Sequence, residues 1–136
     1  MTRIYKLLVL GVIVTFLISC KSDDDSSSAS LVGEWIQVDA KLNGVSDWED
    51  YADCTQDNIT IYYSDNTFEV NEGATKCDPD DNQIIDGGTW SWIAEGSELQ
   101  LYGAFSIGVE KLSSSDLILI QNTDLGDEIK VYFKRQ

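Results

Sequence analysis

From Leu31 onward, apolar residues recur every second position in segments of about four to eight residues, broken by clusters of Gly, Ser, Asn and Asp. Ile36, Val38, Ala40 and Leu42 alternate with Gln37, Asp39 and Lys41, as a half-buried strand does. The pattern returns in 59–63, 67–70, 88–93, 99–101, 105–109, 117–120 and 129–133. Turn signals such as Ser64-Asp65-Asn66 and Glu95-Gly96 separate the segments, and the chain holds a single proline, Pro79. Eight short strands with short connections predict sequential antiparallel neighbours. An all-β, eight-stranded up-and-down barrel follows, because closure removes the edges that such a sheet would otherwise expose. The one helical candidate is Ser46 to Ala52, where Ser46 and Glu49 have capping-box spacing.

The first twenty residues have a different period. Arg3 and Lys6 precede an apolar run from Leu7 to Ile18. As a helix that run rises about 18 Å, short of a bilayer core of about 30 Å, so it reads as a signal peptide rather than a span. Leu17-Ile18-Ser19-Cys20 resembles the bacterial lipobox. The resemblance implies cleavage after residue 19 and a membrane lipid carried on the sulfur of Cys20. Lys21 to Ser30 is Ser- and Asp-rich, unable to bury apolar surface, and reads as a solvated tether over residues 20–30. Its start, Lys21-Ser22-Asp23-Asp24-Asp25, resembles the acidic export signal of Bacteroidota surface lipoproteins. That likeness implies an outer-membrane, lipid-anchored protein on the cell surface, with a periplasm-facing anchor as the alternative.

Three cysteines are an odd number for an exported chain. Acylation of Cys20 leaves Cys54 and Cys77 as one pair in an oxidising compartment, the alternative being two unpaired thiols near a loop. Charge then excludes several partners. The chain has 9 basic and 24 acidic side chains and no histidine, a net −15. Loss of Arg3 and Lys6 with the signal leaves 7 against 24, or −17. A nucleic-acid binder needs clustered Lys and Arg, and simple docking on anionic lipid needs the same. Without histidine there is no Ser-His-Asp or Cys-His unit and no imidazole metal site.

Leu31-Val32-Gly33-Glu34-Trp35 resembles the opening Gly-x-Trp of lipocalin-like domains. Cys54, Asp57-Asn58, Ser64-Asp65-Asn66-Thr67-Phe68, Cys77 and Gly88-Thr89-Trp90 follow in the order seen in small lipocalin-like lipoproteins of Bacteroidota. The resemblance covers residues 31–135 and implies a lipocalin-like barrel domain over 31–136. It implies that Trp35 packs across one barrel end beneath a basic residue of the last strand. Arg135 shares strand parity with Val131 and Phe133 and is the candidate for that structural lock.

Candidate binding residues are aromatic. Trp90 and Trp92 share one strand face, and Tyr63 shares another with Ile59 and Ile61. At period two they fill the barrel as core or line a pocket for a small apolar ligand, as the lipocalin likeness implies. Trp48 and Tyr51 stand among Asp47, Glu49, Asp50, Asp53 and Asp57, a combination suited to stacking on a sugar and accepting its hydroxyls. Those carboxylates read as a solvated loop, with no spacing that sets two of them across a cleft. Asp78, Asp80 and Asn82 have the 1-3-5 spacing of a calcium loop, with Asp81 and Asp86 nearby. The pattern then fails at Gln83 and Thr89, leaving a weak calcium candidate and no metal site of standard form. The expectation is a non-enzymatic, lipid-anchored binding protein with no cofactor, taking a small apolar ligand. The alternative is an interaction subunit of an outer-membrane complex that binds protein or glycan.

Overall fold

A computed structural model describes residues 29–136; the expected signal peptide, the expected lipidation site Cys20 and most of the segment read as a tether lie outside the described residues. Nine strands occur: β1 (Gly33–Leu42), β2 (Val45–Ser46), β3 (Ile59–Tyr62), β4 (Thr67–Asn71), β5 (Ile84–Ala94), β6 (Glu98–Leu101), β7 (Phe105–Leu112), β8 (Asp116–Asn122) and β9 (Glu128–Arg135). All neighbours are antiparallel, and β9 returns to pair with β1. The eight long strands therefore form the closed barrel anticipated from the sequence. The two-residue β2 is an extra hairpin folded back on β1.

Closure depends on register shifts. Gln37 pairs with Phe133 but Asp39 pairs with Tyr132, so Val38 is an extra residue in β1. The shift lets Trp35 and Ala40 face inward although one is odd and the other even. It corrects the reading of Ile36, Val38, Ala40 and Leu42 as one face. Similar shifts fall at Trp92/Ala94 and Val109/Lys111. Each bends a strand around the barrel while keeping its apolar side inside.

The core runs through Leu31, Trp35, Tyr62, Phe68, Trp90, Leu99, Val109, Leu117, Leu119 and Phe133. Aromatic rings fill much of it: Tyr62 stands edge-on to Trp90 at 6.0 Å, and Trp92 edge-on to Trp90 at 6.3 Å. Tyr62, not Tyr63, points inward. Trp35 is paired with Thr60, which puts Thr60 and Tyr62 on the inner face and Ile59, Ile61 and Tyr63 on the outer one. Tyr63 is 38% exposed and Tyr62 only 3%. Period two gave the right alternation there and the wrong side, because β-branched isoleucines occupied the outer positions. Burial pushes the Tyr62 hydroxyl pKa upward, so the ring stays neutral.

The helical candidate over 46–52, at most a short one, is present as a single turn, and only its capping box is corrected. A 3-10 turn occupies Trp48–Asp50 and a single α turn, α1, occupies Asp53–Gln56. Ser46 lies in β2 opposite Lys41, and its hydroxyl donates to Asp39 Oδ1 at 2.6 Å. It is therefore not placed to complete a capping box with Glu49.

Trp35 and Arg135 meet at one barrel end. Trp35 is fully buried, and its Nε1 donates to Leu31 O at 2.8 Å. The Arg135 guanidinium lies over the indole, 4.3 Å from its centroid, and Nη1 donates to Val32 O at 3.1 Å. Gly33 has φ +139°, and a Cβ there would collide with that guanidinium. Arg135→Ala should therefore cost about 0.5–2 kcal/mol of stability, measured as a lower urea midpoint with the slope unchanged.

Candidate binding surface

The two barrel ends differ in kind. At one, connections are short: residues 63–66, 95–97 and 113–115. Leu31, 2% exposed, plugs this end, and Arg135 also donates to the neighbouring Ser30 O. The other, the loop end, carries the 43–58 and 72–83 connections and the turns after β6 and β8. A ten-residue strand such as β1, tilted as barrel strands are, separates the two ends by about 25 Å.

The two long connections are tied together. Cys54 and Cys77 form a disulfide with their Cα atoms 5.1 Å apart, as the cysteine count suggested. Gln56 Nε2 donates to Tyr51 O at 2.8 Å and Trp48 O at 3.2 Å, holding the aromatic turn against α1. Asp57 Oδ2 accepts from the backbone N–H groups of Thr75 at 2.8 Å and Ala74 at 3.1 Å. Gln83 Nε2 donates to Asn71 Oδ1 at 2.7 Å and Gly73 O at 2.9 Å. Trp48 and Tyr51 pack on each other, ring centroids 5.1 Å apart and tilted by 34°. Mutual packing occupies part of the faces that stacking on a sugar would use.

Apolar side chains are exposed around this end. Leu125 is 91% exposed, Val45 71% and Phe105 60%, with Leu42, Ile84 and Tyr51 also outside the core. These residues come from separate loops and strand ends converging on one rim. Asp47, Asp50, Asp124 and Asp127 flank them in sequence, and among the described residues no ion pair reaches the 43–58 or 72–83 loops. The pairs lie on the barrel wall, as in Lys130 with Glu110 and Lys111 with Asp116. Tyr102 donates to Asp86 on the rim, where burial first and this hydrogen bond second raise its hydroxyl pKa to about 12.

The interior offers little room. A cavity of about 80 Å³ lies among Ile107, Leu119, Ile129, Val131 and Phe133, against the 300–1,000 Å³ usual for a small-molecule site. A larger groove, about 420 Å³, opens at the plugged end beside Leu31, Trp90, Trp92 and Leu112. So Trp90 and Trp92 stay together, Trp48 and Tyr51 form a second pair at the loop end, and Tyr63 meets the first pair only through its main-chain oxygen, which accepts from Trp90 Nε1 at 3.1 Å.

Asp78, Asp80 and Asn82, the residues with calcium-loop spacing, lie in the 72–83 connection. All three are exposed on a turn in which Asp78 Oδ1 accepts from Asp80 N at 2.9 Å, and Lys76 donates to Asp81 O beside them. Among the described residues no group of three His, Cys, Asp or Glu side chains is placed for a metal. No described helix is long and apolar enough to cross a membrane.

Comparison with protein-family models, curated proteins and solved structures finds no match. Function is therefore argued from the barrel itself. The rim residues Val45, Phe105 and Leu125 escaped the sequence reading, although Leu125 carries a signal: a large aliphatic between Asp124 and Gly126 in a polar turn.

Proposed function

We propose that this chain is a lipid-anchored outer-membrane protein on the cell surface, binding a protein or glycan partner through the disulfide-tied loop end of its barrel. The observation that carries the reading is the contrast between a filled interior and an apolar, acid-flanked rim. An 80 Å³ cavity is too small for a fatty acyl chain, whereas Val45, Phe105 and Leu125 hold apolar surface in water at a cost in solubility. The address fits the same geometry. The tether enters at the plugged end, so an anchor on Cys20 leaves the loop end as the face farthest from its attachment. A chain without histidine, whose loop acids include no pair shown facing across a cleft, suits binding better than catalysis.

A small apolar ligand is the second reading, favoured by the groove beside Trp90 and Trp92. A fluorescent fatty-acid probe separates the two. The expected result is no saturable enhancement at micromolar probe. Saturable enhancement that Trp92→Ala abolishes would establish the apolar-ligand reading instead.

A further inference from the structure

Among the described residues, Glu72 is the one charged residue of the buried core, 4% exposed. Strand parity aims it inward: Phe68 and Val70 precede it on the inner face of β4. The register pairs Ile59 with Asn71, and one further step brings Asn58 opposite Glu72. Glu72 Oε2, Asn58 Oδ1 and Asp57 Oδ1 are buried, and none has a hydrogen-bond partner among the described residues. These are the only three such side-chain atoms among the described residues, and all three are oxygens. Asp57 is held beside them, its other carboxylate oxygen spent on Ala74 N and Thr75 N and its main chain pressed against Gly73.

An unpartnered buried carboxylate oxygen is among the most unfavourable groups a core can hold, and no Lys or Arg forms an ion pair with it among the described residues. Three buried oxygens without a donor, on residues consecutive in chain or one register step apart, are a donor set that a cation would satisfy. Two carboxylates and an amide balance a charge of two. The chain has no histidine and both described cysteines are oxidised, so the set is hard oxygen only, suited to calcium rather than zinc or copper. We propose that Glu72, Asn58 and Asp57 bind a calcium ion beneath the loops joined by Cys54 and Cys77, with water and main-chain carbonyls completing the shell. The ion would fix the base of the loop end, and the assignment is independent of the partner proposed above.

The test uses full-length protein in detergent, freed of metal with chelator. At the affinity usual for extracellular calcium modules, about 10⁻⁴–10⁻³ M, 10 mM Ca²⁺ should raise the melting temperature by about 5 °C or more. Equal Mg²⁺ should give less than half that shift. Glu72→Gln should abolish the calcium shift, while Asp78→Asn on the exposed turn should retain it. The proposal is overturned by no shift in the wild type, which would leave the oxygens to buried water. It is equally overturned by an equal response to Mg²⁺, by an undiminished shift in Glu72→Gln, or by loss of the shift in Asp78→Asn. Should Glu72→Gln not fold, calorimetric titration of Asn58→Ala decides: weakened calcium binding supports the site, and unchanged binding overturns it.

Discussion

Trp35→Ala should cost about 3–5 kcal/mol, a large share of the 5–15 kcal/mol typical of a domain this size. Trp35 has no exposed surface, so truncation leaves a cavity that a closed barrel can collapse into only partly. Three further contacts go with it. Leu31 O loses its indole donor, Arg135 loses the ring beneath its guanidinium, and Leu31 loses the surface it plugs against. The expected readout is a fall in melting temperature on the order of 15 °C, or no folded population at all. Trp35→Phe keeps much of the volume and loses the hydrogen bond, so it should fall between Arg135→Ala and Trp35→Ala. A Trp35→Ala protein with wild-type stability would mean that the plugged end is not packed as described.

Removing the disulfide with Cys54→Ala and Cys77→Ala should cost about 3 kcal/mol, the chain-entropy value for a closed loop of 24 residues. The loss should be local in effect. Without the bridge, the 43–58 and 72–83 connections remain joined through Asp57 at Ala74 and Thr75, a pair of hydrogen bonds. Hydrogen exchange should therefore accelerate in 46–58 and 72–83 while β7, β8 and β9 keep their protection relative to the lowered global stability. Uniform acceleration through the barrel would show instead that these loops fold as part of the core.

Much of this architecture was legible in sequence because closed antiparallel sheets write their pattern locally. All eight barrel strands lie where the alternation of 31–135 placed them, and Trp35 and Arg135 meet as parity suggested. What was not legible depends on register and on loops. Val38 is an extra residue in β1, visible only once Gln37 and Asp39 are paired with β9, so the face of Ile36 to Leu42 was misread. Tyr63 was placed inside because Ile59 and Ile61 are apolar, and only pairing with Trp35 shows that Thr60 and Tyr62 hold the inner side. β5 begins at Ile84, before the Gly-rich stretch that seemed to mark its start. Glu72 could have been flagged, since a charge two positions after Val70 and four after Phe68 breaks an inward apolar series.

The binding surface is tested most directly on intact cells, with the full-length anchored protein carrying a photo-crosslinking residue at one of two positions. Leu125 stands on the loop-end rim, and Ile93, half exposed, on β5 near the plugged end. The expected result is a discrete adduct from position 125 and none from 93. Adducts from 93 alone, or from neither while a lipid copurifies with the barrel, would contradict binding through the loop end.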